Sequence, residues 1–108
     1  MSSKINLHKY RTNGSKIFSG RDRGCDARRA LKLDELDETT DKIIVSIPKD
    51  TWAINSSFFG GLFEASVIKL KENCFRQKYQ FQFDDGTPLS STLQSNIEEG
   101  IFDALNDI

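Results

Sequence analysis

The stretch of the chain richest in chemistry runs Trp52-Ala53-Ile54-Asn55-Ser56-Ser57-Phe58-Phe59-Gly60-Gly61-Leu62-Phe63. Asn55 or Ser56 suits a helix N-cap, because a side-chain oxygen there accepts from the free N–H groups two or three residues on. Gly60 and Gly61 suit a helix that must approach the sheet closely. Those two structural roles account for the residue types. A hydroxyl at such a position also has a chemical meaning. It stands where a phosphate would find unpaired N–H donors and a favourable dipole, so adding that charge would change the electrostatics of an exposed corner.

Other constellations are weaker. Gly20-Arg21-Asp22-Arg23-Gly24 is a Gly-bounded loop entering a helix, and Arg21, Arg23 and Gly24 form a candidate anion site. A simple turn into a helix explains the same residues. His8 is the chain's one histidine, and without an orienting partner it reads as a surface residue. Asp84-Asp85 reads as the start of a turn before it reads as a cation site. Neither G-x-x-x-x-G-K-[ST] nor G-x-G-x-x-G occurs. The expectation is a chain with no catalytic residue, no metal and no cofactor, hence not an enzyme.

The whole chain has 108 residues, which supports one domain spanning residues 1–108. Two cysteines, Cys25 and Cys74, lack metal-ligand spacing and read as buried or half-buried free thiols. No apolar run reaches the roughly 20 residues of a membrane helix. The start, Met1-Ser-Ser-Lys-Ile-Asn, has no apolar h-region, so a cytoplasmic location is expected. The net charge of -1 hides a polarity. Residues 1 to 33 carry nine basic and two acidic side chains, and the remainder carries six basic and fourteen acidic ones. Such a basic third contacts nucleic acid or an acidic partner, or neutralises the rest of its own fold; the last is the commoner use.

The elements that must position these residues follow from periodicity. Lys4 to Tyr10 places Ile5 and Leu7 on one face, as a strand does. Thr12-Asn13-Gly14-Ser15 predicts a turn, and Lys16 to Ser19 a second strand, together an antiparallel hairpin. From Cys25 to Leu36 the spacing is helical, with Arg28, Arg29 and Lys32 facing out. Lys42 to Pro48 reads as a central strand ended by proline. Phe59, Leu62, Phe63, Ser66, Val67 and Leu70 predict a helix over 56–73. Tyr79 to Asp84 alternates as a strand, and Leu89, Leu93, Ile97, Ile101 and Leu105 step by four along a last helix. That helix starts at Thr87-Pro88 or at the capping-box spelling Ser95-x-x-Glu98. The order β, β, α, β, α, β, α implies a small α/β sandwich. Its sheet is mixed, with the hairpin at one edge and parallel central strands, covered by about three helices.

These features carry a resemblance. Arg21, Gly24 and Ala27 open the first helix; Ile43, Ile44, Val45 and Ile47 form the apolar strand. Ser57, Phe58, Leu62 and Phe63 start the next helix, and Phe102, Ala104 and Leu105 close the last one. From about Ile5 to Leu105 the chain resembles the STAS domain superfamily, the fold of bacterial anti-sigma factor antagonists. It is most similar to the small prokaryotic STAS-like domains of unknown function. The resemblance implies a binding switch whose partner is a GHKL-type ATPase or another signalling protein. It implies Ser56 as phosphoacceptor with Ser57 adjacent, phosphorylation weakening the complex; Asn55 stands where the antagonists have Asp. The partner surface it points to is the Asn55–Gly61 corner, including Ser56, Ser57 and Gly60, with Lys49, Asp50 and Trp52 from the preceding loop. The rival expectations are nucleic-acid binding, motivated by the basic third, and an accessory role in phage defence or a toxin–antitoxin pair.

Overall fold

In a computed structural model of the chain, which describes residues 2–11 and 16–106, the apolar strand predicted at Lys42–Pro48 is the centre of the architecture. This strand, Lys42–Ile47, is β3, and it is flanked by β1 (Ser2–Asn6) and β5 (Tyr79–Phe83) in the order β1-β3-β5. Both pairings are parallel, with Ile5, Val45 and Phe81 in one rank. A second, two-stranded parallel pair joins β2 (Ile17–Phe18) to β4 (Ala53–Ile54).

The expected N-terminal antiparallel hairpin is not formed. The run of β-branched residues in β3 offers a two-sided central partner, and β1 takes one side of it in parallel. A 3-10 turn, His8–Tyr10, then ends the strand, and β2 continues onto β4 instead of folding back on β1. The turn residues Thr12 to Ser15 lie outside the described residues.

Among the described residues there are four α-helices where about three were expected. The first helical stretch starts earlier than predicted and divides in two, α1 (Arg21–Ala30) and α2 (Leu33–Leu36). Lys32 between them adopts φ 56°, a left-handed conformation that stops the first helix. The third helix, α3 (Ser56–Lys78), is longer than predicted and breaks at Lys71, where φ is 70°. The last, α4, covers Ser91–Asn106. Its cap is Ser90, whose Oγ accepts from the Leu93 N–H at 3.2 Å, and neither sequence-predicted start is used.

The helices pack on one face of the β1-β3-β5 sheet. Phe59, Phe63 and Phe75 of α3 meet Tyr79 and Phe81 of β5 with ring centroids 5.0–6.4 Å apart. Ile5, Ile43, Val45, Ile47, Leu93, Ile97 and Ile101 complete the same core. The helices α1 and α3 cross at backbone contact. A Cβ on Gly24 would lie 2.3 Å from the Phe58 carbonyl oxygen, and one on Gly61 would lie 2.2 Å from that of Arg21. Gly61 therefore serves the approach to α1, not to the sheet. The radius of gyration, 12.6 Å, is that of one folded unit of this length, about 13 Å.

Candidate functional site

The corner where β4 turns into α3 is built from three sides. Asn55 precedes the helix in extended backbone, φ -69° and ψ 145°, and its carbonyl accepts the first helical bond, from Phe59 N–H at 3.0 Å. Its own N–H donates to Phe18 of β2, so β2 fixes the approach. From the other side the Asn96 side chain of α4 accepts from Ile54 N–H at 2.9 Å. The Asn55 side chain makes no capping bond, and Asn55, Ser56 and Ser57 are all exposed. Ser57 Oγ accepts from Gly20 N–H at 3.4 Å, while Ser56 projects freely from the first turn.

The flanking residues divide into anchors and struts. Trp52 is 67% exposed, its ring covered only on one side by Lys16, whose ammonium stands 5.5 Å from the centroid. Asp50 is held by Arg11 at 2.7 Å, and that guanidinium lowers its pKa. Lys49 is tied down three ways: to Thr87 Oγ1 at 2.7 Å, to Asp85 at 3.3 Å, and over the Phe83 ring at 4.7 Å. Gly60 lies under the Arg21 guanidinium, which bridges to Glu64 at 3.0 Å. Arg21, Ser56, Ser57, Gly60, Glu64 and Asp103 share one open groove of about 340 Å³. Six of the seven predicted corner residues are therefore exposed, and Gly60 is half-buried.

The candidate anion residues do not converge as a loop cradle. Arg21 to Gly24 are helical, and the Gly24 N–H is spent on the Gly20 carbonyl at 3.1 Å. Gly24 itself is buried in the helix crossing, and Arg23 donates to the Arg11 carbonyl at 3.4 Å. His8 is exposed and faces Asp84 at 3.4 Å. Asp85 accepts from the Thr87 N–H at 3.0 Å and its hydroxyl at 2.5 Å, which with Lys49 lowers its pKa to about 2. The Asp84-Asp85 pair thus starts a turn. Cys25 is half-buried, but Cys74 is exposed, contrary to expectation, because it lies beyond the Lys71 break on the outer side of α3. Among the described residues no three His, Cys, Asp or Glu side chains group as metal ligands would.

A polar network was missed by the sequence reading. Arg28, expected to face out, turns inward and its side chain is only 12% exposed. It donates to Asp37, Asp34, Ser66 and the Leu62 carbonyl at 2.6–2.9 Å. The Asp37 carboxylate, 0% exposed, also accepts from Ser66 Oγ at 2.7 Å and from the Tyr79 hydroxyl at 2.5 Å. Burial opposes the Arg28 charge, yet its bonds to Asp34 and Asp37 raise its pKa on balance. Burial first, and then the bond to Asp37, push the Tyr79 hydroxyl far above its ordinary range. The polar interruption of the apolar stripe at Ser66 was the one signal pointing to this knot.

Compared with known proteins, the chain matches no family model, no curated protein and no solved structure. Among the described residues no helix is long and apolar enough to cross a membrane.

Proposed function

We propose that the chain is a non-enzymatic, STAS-like interaction module whose corner at the start of α3 docks on a signalling protein. The observation that carries the reading is the exposure of Asn55, Ser56 and Ser57 beside an exposed Trp52. A largely exposed indole is an anchor of the type that dominates protein interfaces. The expected partner is a GHKL-type ATPase, and Ser56 is the phosphoacceptor. A phosphate on Ser56 adds about -1.5 to -2 charge in a groove that already holds Glu64 and Asp103 against Arg21. The added charge repels any partner that presents its own acids there, which lowers affinity.

The test uses a purified GHKL-type ATPase from the same genome, mixed with the wild-type chain and with Ser56→Asp. Wild type is retained in a pull-down, Ser56→Asp is weakened about ten-fold or more, and Trp52→Ala is weakened comparably. Incubation with ATP then places one phosphate on Ser56, read by mass spectrometry. Equal retention of wild type and Ser56→Asp would remove the switch, and equal retention of Trp52→Ala would remove the corner.

A further inference from the structure

All-parallel sheets are nearly always covered on both faces. Here α3 covers the face that carries Val45, Tyr79 and Phe81, and by strand alternation the opposite face carries Lys4, Asn6, Lys42, Ile44, Ser46, Gln80 and Gln82. Lys4, Asn6, Lys42 and Gln80 are exposed, and Ile44 and Gln82 are half-buried. This second face is open and polar. At its centre Ser46 stands in rank between Asn6 and Gln82. It is 0% exposed, and its hydroxyl has no hydrogen-bond partner among the described residues. A buried hydroxyl is costly unless something bonds to it.

At the β1 edge lies a groove of about 420 Å³ lined by Lys4, Ile5, Asn6, His8, Lys9, Tyr10 and Leu31. No acid lines it. Asp84, at the end of β5, pairs with His8. Elsewhere in the basic third Arg11, Arg21, Arg28 and Arg29 each bridge to a carboxylate, whereas Lys16 lies over the Trp52 ring, Arg23 donates to the Arg11 carbonyl and Lys32 is exposed after α1. Lys4, Lys9 and Lys42 pair with no carboxylate of the described residues. Three of the lysines that have no carboxylate partner thus stand on and beside the open sheet face.

We propose that this surface binds single-stranded nucleic acid. The three lysines take phosphates, the half-buried Tyr10 ring stacks on a base at the groove, and the amides of Asn6 and Gln82 meet base edges and sugar hydroxyls. The positive charge is complementary to a phosphate backbone. An acidic protein partner is disfavoured because the surface offers no exposed apolar anchor, Ile44, Tyr10 and Leu31 all being half-buried. None of these residues belongs to the α3 corner, so this proposal stands or falls without it.

The test is fluorescence anisotropy of the intact chain with labelled single-stranded RNA and DNA of roughly twelve nucleotides. Three lysine–phosphate contacts give a salt slope of about -2, so binding weakens about 20-fold between about 50 and 200 mM salt. The double variant Lys4→Ala/Lys9→Ala cuts that slope to about a third. Tyr10→Ala weakens binding roughly five-fold or more at every salt concentration and leaves the slope unchanged. Circular dichroism on each variant separates lost binding from lost fold. Lys42→Ala, at an exposed position, gives a second reading of the slope. The proposal is overturned if no saturable binding occurs at about 50 mM salt, if the slope survives removal of the lysines, or if polyglutamate competes as well as the oligonucleotide.

Discussion

Replacing Asp37 with Ala removes the acceptor that joins four parts of the fold. The carboxylate sits after α2 and receives hydrogen bonds from Arg28 of α1, Ser66 of α3 and Tyr79 of β5. Taking it away leaves Arg28 with one carboxylate, that of the exposed Asp34, and leaves the Tyr79 hydroxyl without its acceptor in the core. Breaking a buried ion pair from one side costs about 3–5 kcal/mol, and an orphaned buried hydroxyl about 1–3 kcal/mol. The terms overlap, so a loss of about 4 kcal/mol is expected. A domain of this kind has about 5–15 kcal/mol in total. Urea unfolding followed by far-UV circular dichroism reads the difference, with an unchanged m-value showing that the native state is still the reference. Asp26→Ala breaks the exposed pair with Arg29 and is the control, expected within about 0.5 kcal/mol of wild type. If Asp37→Ala does not fold, Ser66→Ala supplies a milder cut of about 1 kcal/mol at the same carboxylate. A loss below about 1 kcal/mol for Asp37→Ala would refute the assignment of the network as a structural knot.

The neighbouring Tyr79 makes a pH prediction. Its folded pKa lies above the ordinary value of 10.0, so its contribution is fully present below pH 10 and is lost as pH rises further. The slope is about 1.4 kcal/mol per pH unit, and Tyr79→Phe removes it from the alkaline limb of the stability curve. The two adjacent glycines of α3 should part company. Gly61→Ala puts a Cβ 2.2 Å from a backbone oxygen and costs about 3 kcal/mol or more in a urea melt. Gly60→Ala meets only the mobile tip of Arg21 at 2.9 Å and folds normally. An NMR titration is expected to place Asp85 at about 2, and Thr87→Val, which removes the hydroxyl bond, is expected to move it toward 3.8.

The parts of the fold readable in the sequence were those fixed by burial period. The strand at Lys42–Ile47, the strand at Tyr79–Phe83 and the apolar face of α4 lie where alternation and four-residue steps put them. Pairing partners were not readable, because Ile5 and Leu7 look the same whether β1 joins a hairpin or the edge of β3. An Asn-Gly pair biases a turn locally, but the long-range partner β3 decided the topology. Helix breaks were also hidden. Lys32 and Lys71 adopt positive φ without being glycine, a choice made by tertiary packing and not by propensity. The corner was readable as a location because a capping residue after a strand is a local signal, whereas its groove depends on Asp103 from α4, far along the chain. Arg28 shows the limit most clearly. Its type and its position between Ala27 and Arg29 argue for solvent, and only the three-dimensional arrival of Asp37, Ser66 and Tyr79 gives it a buried partner.

The same arginine explains what the charge polarity of the chain means. A basic third facing an acidic remainder suggests an external electrostatic partner, yet Arg11, Arg21 and Arg28 reach carboxylates far from the N-terminal third or just past its end. Arginine suits that duty, since a planar fork satisfies several acceptors at once, whereas a lysine is a hydrated point charge that stays on the surface. The chain follows this division of labour. Its N-terminal arginines bind α1 and the turn before it to the rest of the fold, and the lysines on β1 and at the start of β3 are left facing outward on a sheet face no helix covers. Four arginines of the N-terminal third are thus neutralised internally, while its lysines stay outside any salt bridge among the described residues. A ligand on that face would meet Lys4, Lys9 and Lys42, not the full basic charge of the N-terminal third.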